Sequence, residues 1–301
     1  MYRSETLYHV IKNTPLLYPI CIPSYDKTDP AFFKWITSPK FDVPRENICV
    51  FIRNTPEQKR MYSHMKDRAR ILLLPDWVQD IGDTRKAIVQ WGAKHSPELI
   101  YMLDDRVDGI WWLNVQKRPS GTYLDVDENS TPKTAFQIWA KQHLSAGMVA
   151  TGISSKGFHW MPDHINMPIK PLNGGGLFYS IALSPASLIE HGANYDSIKK
   201  TGVEDVFIAH QLLTRQLPFC TLSDICYSQV KTTNIGGNAS VMPGLSREDR
   251  LLVWKKLFWE NTLGIPWGTK HPGYYRVSTK TEPDQIKINY RYWRGLYGYT
   301  K

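Results

Sequence analysis

Leu99-Ile100-Tyr101-Met102-Leu103-Asp104-Asp105 is the stretch on which the reading of this chain turns. Its apolar run lacks the alternation of a half-exposed strand and the length of a helix, and it therefore reads as a strand buried on both faces. Such strands belong to parallel sheets covered by helices on both sides. The two carboxylates then fall at the carboxyl end of the strand, where open α/β sheets bind their ligands.

Upstream, residues 18–24, 47–53 and 70–74 repeat the short apolar pattern. Residues 30–36 and 55–66 lie between them as helix candidates, the second with a Thr-Pro start. Alternating strands and helices predict βαβ units. Residues 83–93 read as a further helix, capped by Asp83 or Thr84.

Downstream, residues 120–134 are polar and turn-rich, and residues 135–146 read as a helix. Asn173-Gly174-Gly175-Gly176 is a glycine hinge entering a strand, and residues 203–213 form a helix opening on Glu204-Asp205. A loop with Lys231 and Gly236-Gly237-Asn238 precedes a helix at 246–259, where Ser246 and Asp249 make a capping-box analogue. The expected fold is a Rossmann-type mixed α/β sheet flanked by helices. Residues 1–245 would form the main domain, and residues 246–301 a C-terminal helix and basic, aromatic-rich extension packed on it.

Composition narrows the partners. The formal charge is +9, from 37 Lys and Arg against 28 Asp and Glu, which favours anionic ligands. From Lys255 onward there are nine Lys or Arg and three acids, so that stretch alone contributes +6. There, Trp293 and several tyrosines are interleaved with Arg276, Lys287, Arg291 and Arg294. Cations can track phosphate while rings stack on bases, and a Tyr-rich strand pair with solvated charges fits the same residues. Cys21, Cys49, Cys220 and Cys226 have neither metal-type spacing nor scaffold density and read as reduced core thiols. There is no signal-like N-terminus, and no apolar run approaches the roughly 18 residues of a membrane span. A cytoplasmic location is expected.

Several residues carry candidate chemistry. A leaving nucleotide diphosphate needs its charge neutralised, and a divalent cation (Mn2+ or Mg2+) held by Asp105 and Asp104 would do this, with Asp108 as a helper. A plain strand-end turn fits the same acids. Arg85, at a helix start, could meet a nucleotide or be a surface charge. Gly174 and Gly175 allow close backbone approach to phosphates, and Lys231 beside a glycine turn suits a diphosphate. Glu204 and Asp205 are stabilised at a helix N-terminus whether or not they act, and a carboxylate there could also take a proton from an attacking hydroxyl. His159, His164 and His210 read as structural or surface residues.

The ordered set of Ile22-Pro23-Ser24-Tyr25, Arg85, the acidic strand end, the Gly-Gly strand and the Glu-Asp helix resembles the GT-A glycosyltransferase pattern. More closely, over about residues 18–240, it is similar to the TET-associated glycosyltransferases, phage enzymes inferred to glycosylate hydroxymethylated pyrimidines in DNA. This resemblance implies a GT-A-like fold and a nucleotide-sugar donor, UDP-linked, in a host-cell cytoplasm. It implies that Ser24, Tyr25 and Arg53 lie near the nucleotide base, Arg85 near the nucleotide, Asp104 and Asp105 at ribose and metal, and Asp205 as base near the acceptor. The acceptor implied is 5-hydroxymethylcytosine or 5-hydroxymethyluracil in DNA. One departure is Arg106, which stands where related enzymes often carry a third acid and which could itself stabilise phosphate charge. Two other readings remain: a GT-A enzyme with a protein or glycan acceptor, and a non-catalytic DNA-binding relative.

Overall fold

Four short apolar segments become parallel strands, three of them buried along their whole length and the fourth, Arg70–Leu73, lying at the edge of the sheet with its ends exposed. The computed structural model describes residues 18–25, 31–118, 121–155, 169–171, 180–195, 204–230, 275–277, 286–288, 293–295 and 297–298. The parallel strands are β1 (Ile20–Pro23), β2 (Ile48–Ile52), β3 (Arg70–Leu73) and β4 (Ile100–Leu103). The remaining strands are β5 (Val107–Arg118), β6 (Gly121–Val126), β7 (Ala150–Ser155), β8 (Ile169–Pro171), β9 (Ser180–Leu183), β10 (Phe219–Gln229), β11 (Tyr275–Val277) and β12 (Ile286–Ile288). The helices are α1 (Ala31–Ile36), α2 (Pro56–Met61), α3 (Ile81–His95), α4 (Pro132–Ser145), α5 (Pro185–Glu190) and α6 (Glu204–Thr214).

The main sheet runs β3-β2-β1-β4-β9-β7-β10-β5-β6, with β8 also paired to β10. β9 is antiparallel to both β4 and β7, which makes the sheet mixed. β5 and β8 divide β10 between them, β8 pairing with residues 220–222 and β5 with residues 225–229. A register shift in β10 against β7 falls between Leu222 and Cys226. The strand at Gly121–Val126 corrects the expectation of a turn-rich stretch over residues 120–134. Its pairing with β5, rather than its own apolar content, makes it a strand.

Side chains of β1, β2 and β4 alternate between two cores. Ile20, Ile22, Val50, Tyr101 and Leu103 pack with Phe32 of α1 and with Phe136 and Trp139 of α4. Cys21, Cys49, Phe51, Ile100 and Met102 pack with Ile88 of α3, Leu188 of α5 and Ile208 of α6. Helices thus cover both faces. The chain passes from β1 to β2 to β3 on one side and then returns to place β4 on the other side of β1. That reversal opens a crevice at the carboxyl ends of β1 and β4.

All four cysteines are buried free thiols. Burial pushes the Cys49 thiol up to about 11 and the Cys220 thiol up to about 12, so neither supplies a thiolate near neutrality. Among the described residues no helix is long and apolar enough to cross a membrane.

Beneath the sheet, the buried His143 joins α4 to β7 and α5. Trp139 Nε1 donates to Thr151 Oγ1 at 2.8 Å, and that hydroxyl meets His143 Nδ1 at 2.9 Å. His143 Nε2 lies 2.9 Å from Ser184 Oγ, which donates to the Met148 carbonyl at 3.3 Å. These donors fit together when His143 is neutral and protonated on Nε2. Burial lowers its pKa to about 4, and burial with nearby Arg215 lowers that of His210 to about 3. Both folded values lie below the ordinary value of 6.5, so the unfolded chain binds more protons as the pH falls below it. Stability should be level above about pH 6.5 and fall toward pH 5, by up to about 1.4 kcal/mol per pH unit for each histidine. Thermal unfolding over this range, above the carboxylate titrations, checks the slope, and a flat midpoint would refute it.

Candidate nucleotide-sugar site

The candidate site grows out of the strand ends. β1 runs into Ser24 and Tyr25, β2 into Arg53, and β4 into Asp104 and Asp105. Ser24 is buried and extends the ladder by donating its amide to the Phe51 carbonyl at 3.1 Å. Its hydroxyl donates to Asp105 Oδ2 at 2.9 Å and lies 2.8 Å from the Tyr62 hydroxyl. Since the Ser24 proton goes to the carboxylate, Tyr62 donates to Ser24. The result is a directed relay, Tyr62 to Ser24 to Asp105, with all three groups buried. The Asp105 carbonyl also accepts from the Phe32 amide at 3.1 Å, tying the start of α1 to this turn.

Asp104 faces outward by comparison. Arg106 holds both of its carboxylate oxygens, with Nε 3.0 Å from Oδ1 and Nη2 3.3 Å from Oδ2, and the Arg106 amide also donates to Oδ1 at 2.9 Å. These side chains keep 29% and 19% exposure for Arg106 and Asp104, so the pair lies at the surface of the crevice. Asp108 accepts a hydrogen bond from Ser228 Oγ of β10, which gives it a structural partner.

Arg53 lies over the Tyr25 ring, its guanidinium carbon 4.2 Å from the centroid, and donates through Nη2 to the Gln79 carbonyl. It thereby joins the ends of β1 and β2 to the loop before α3. The cap of α3 is Asp80, neither Asp83 nor Thr84 as the sequence suggested. Asp80 Oδ1 accepts from the Asp83 amide at 3.0 Å, while Asp83 turns back to accept from the Gln79 amide at 2.9 Å. The helix begins at Ile81, so its cap falls three residues before Asp83.

Arg85 and Glu204, assigned to different parts of the site, meet in a buried ion pair. Arg85 Nη1 lies 3.4 Å from Glu204 Oε1, each side chain only 8% exposed, and the guanidinium lies over the Tyr195 ring at 5.7 Å. The other Glu204 oxygen is buried without a hydrogen-bond partner among the described residues. Asp205 follows in the first turn of α6. Sequence reasoning missed Tyr62, Asp80 and Tyr195; only Asp80, three residues before Asp83, carried a recognisable cap signal.

The tail gives a mixed result. β11 and β12 pair antiparallel, with Arg276 opposite Lys287. Trp293, expected to stack on bases, is 3% exposed and packs in the core beside α6. This corrects that assignment, since a ring filling a core cannot present a face to a nucleic acid. Nearby Tyr297 donates to the Leu213 carbonyl at 2.6 Å, and Arg294 is half-buried. Gly174, Gly175, Lys231 and Arg291 lie outside the described residues, as does the expected helix at 246–259.

Sheet and site together define an α/β architecture of the GT-A type. Among solved structures, the chain is similar to S. aureus TarS residues 1–349 in complex with UDP-GlcNAc, with a TM-score of 0.51 at 14% identity over 80% of this chain and 65% of that one. TarS 1–349 in complex with UDP gives 0.45 at 13% identity over 82% and 72%. The mannosyltransferase PcManGT from Pyrobaculum calidifontis, in complex with GDP-Man and Mn2+, gives 0.46 at 11% identity over 74% and 59%. The likeness to the UDP-GlcNAc complex is one of fold, and this chain spans about two thirds of that protein fragment. No family model and no curated protein matches the sequence.

The relay predicts unequal costs. Ser24→Ala removes a hydrogen bond to a buried carboxylate and should cost about 1.5–3 kcal/mol, whereas Tyr62→Phe removes a hydroxyl-to-hydroxyl bond and should cost about 0.5–1.5 kcal/mol. Urea unfolding of both variants checks the order, and equal costs would show that Asp105 does not depend on Ser24.

Proposed function

We propose that this chain transfers a sugar from a nucleotide-diphosphate donor, UDP-linked, to the hydroxymethyl group of 5-hydroxymethylcytosine or 5-hydroxymethyluracil in DNA. The observation carrying the donor half is the gathering of Ser24, Tyr25, Arg53, Asp104 and Asp105 at the reversal point of a sheet shared with UDP-GlcNAc-bound TarS. Tyr25 and Arg53 would receive the base, Asp104 the ribose, and Lys231 with Gly174 and Gly175 the diphosphate.

A divalent cation fits the acids at the end of β4. Asp104 already stabilises a positive group, the Arg106 guanidinium, and Asp105 is its neighbour. Among the described residues no cluster of three or more His, Cys, Asp or Glu side chains could cage a metal. Two carboxylates still suffice for Mg2+ or Mn2+, which commonly complete their shells with substrate phosphates and water. Asp104 and Asp105 would hold the ion, which neutralises charge on the departing diphosphate. Arg106 would have to release Asp104, and its own charge then lies beside the phosphates. Asp205 takes the proton from the acceptor hydroxyl as that oxygen bonds to the anomeric carbon and the bond to the diphosphate breaks.

The DNA half rests on the register of β11 and β12. The register sets Arg276 and Lys287, two cations of the basic stretch, at paired positions, which suits a polyanionic partner. The burial of Trp293 and the anchoring of Tyr297 favour a second reading, in which the tail is structural and the acceptor is a protein or glycan. A non-catalytic DNA-binding relative is the third.

Incubation with nucleotide sugars, Mn2+ or Mg2+, and hydroxymethylated or plain DNA, followed by nucleoside mass spectrometry, tests the activity. A mass gain on hydroxymethylated DNA alone is expected. Asp205→Asn should abolish transfer while sparing donor binding, and EDTA or Asp105→Asn should lower turnover by orders of magnitude. Full activity in EDTA would remove the metal.

The tail is tested separately by neutralising Arg276, Arg291 and Arg294 together. DNA affinity should fall for every sequence, and the slope of log affinity against log salt should flatten by about 0.9 per lost phosphate contact. Donor hydrolysis should survive. An unchanged slope would make the tail structural.

A further inference from the structure

The N-terminal parts of α3 and α6 are joined by charge, through Arg85 and Glu204. Both helix ends carry partial positive charge, so Glu204 in the first turn of α6 is favoured there and Arg85 near the start of α3 is not. Helix stability therefore does not explain Arg85. Nor does the pair explain itself as a source of fold stability, since taking two charges out of water offsets most of what their attraction returns. Ile88, Ile208 and Leu212 share one apolar core, but burial there is non-directional and does not by itself fix the end of α6. A charged contact at 3.4 Å, braced by the Tyr195 ring, supplies the missing direction.

We infer that the Arg85–Glu204 pair is a positioning strut, fixing the first turn of α6 against α3 so that Asp205 meets the acceptor at the right distance from the donor. This deepens the proposed reaction and rests on the reading of Asp205 as base. On this reading Arg85, which the resemblance would set near the nucleotide, and Glu204 act through Asp205 instead of by contact with donor or acceptor.

The test replaces the pair by apolar residues, Arg85→Met with Glu204→Leu, because an apolar pair of similar volume preserves a fold where one stranded charge would not. The double variant should fold with a near-unchanged melting temperature and keep its donor KM within about two-fold. Its kcat should fall by about 10-fold to 100-fold, the cost of a small misplacement of a reacting group. Arg85→Lys alone, which keeps the charge, should retain more kcat than the double variant. Hydrogen exchange should be faster at the amides of residues 204–208 and unchanged in β1 and β4.

Wild-type kcat in a folded double variant would overturn the strut, as would a raised donor or acceptor KM, which would place Glu204 on substrate. Failure of the wild type to transfer any sugar would sink the proposed reaction instead. Hydrogen exchange then decides the strut alone: unaltered protection of residues 204–208 in the double variant refutes it.

Discussion

β1 and β4 are covered on both faces, and everything at the site follows from that constraint. A strand with apolar neighbours above and below has nowhere along its length to place a charge without stranding it from water. Polar groups are therefore displaced to the first residues beyond the strand, and Ser24, Arg53, Asp104 and Asp105 all stand there. The reversal of strand order next to β1 then parts the covering helices at the same edge, so these polar groups stand at an end that is open.

Within this edge the two aspartates have different surroundings. Asp105 is drawn inward, satisfied by Ser24 and bound through its carbonyl to α1, so its charge is also part of the architecture. Asp104 remains at the surface with Arg106. Adjacent residues on a turning backbone have different surroundings, so in the proposed reaction Asp105 would anchor the turn as well as share the cation with Asp104.

The sheet was legible because buried parallel strands leave a local signature. Residues 18–24, 47–53, 70–74 and 98–103 each contain the strand expected of them, with the ends trimmed by one or more residues. β6 was hidden because Gly121-Thr122-Tyr123-Leu124-Asp125-Val126 owes its state to β5, a partner that a window on the sequence does not weigh. The strand-end cluster was legible in kind, since Ser24, Arg53 and the aspartates end recognisable elements. The link between Arg85 and Glu204 was not, because ion pairing between distant segments leaves no spacing to read. Trp293 misled for a related reason: an aromatic among cations has the same sequence pattern whether it stacks on a base or fills a core.

The interrupted register of β10 has a wider meaning. Ser223, Asp224 and Ile225 fall between the pairing of Leu222 with Ile153 and that of Cys226 with Ser154, and Ser223 and Asp224 alone separate the portion held by β8 from the portion held by β5. One strand thus serves two antiparallel neighbours in series, and the join is buried, with Gln142 donating to Asp224 at 2.6 Å. On the β5 side, Ser228 grips Asp108 just beyond the acidic turn. The far half of β10 is thereby stitched to the same turn that carries Asp104 and Asp105, and the near half to β8.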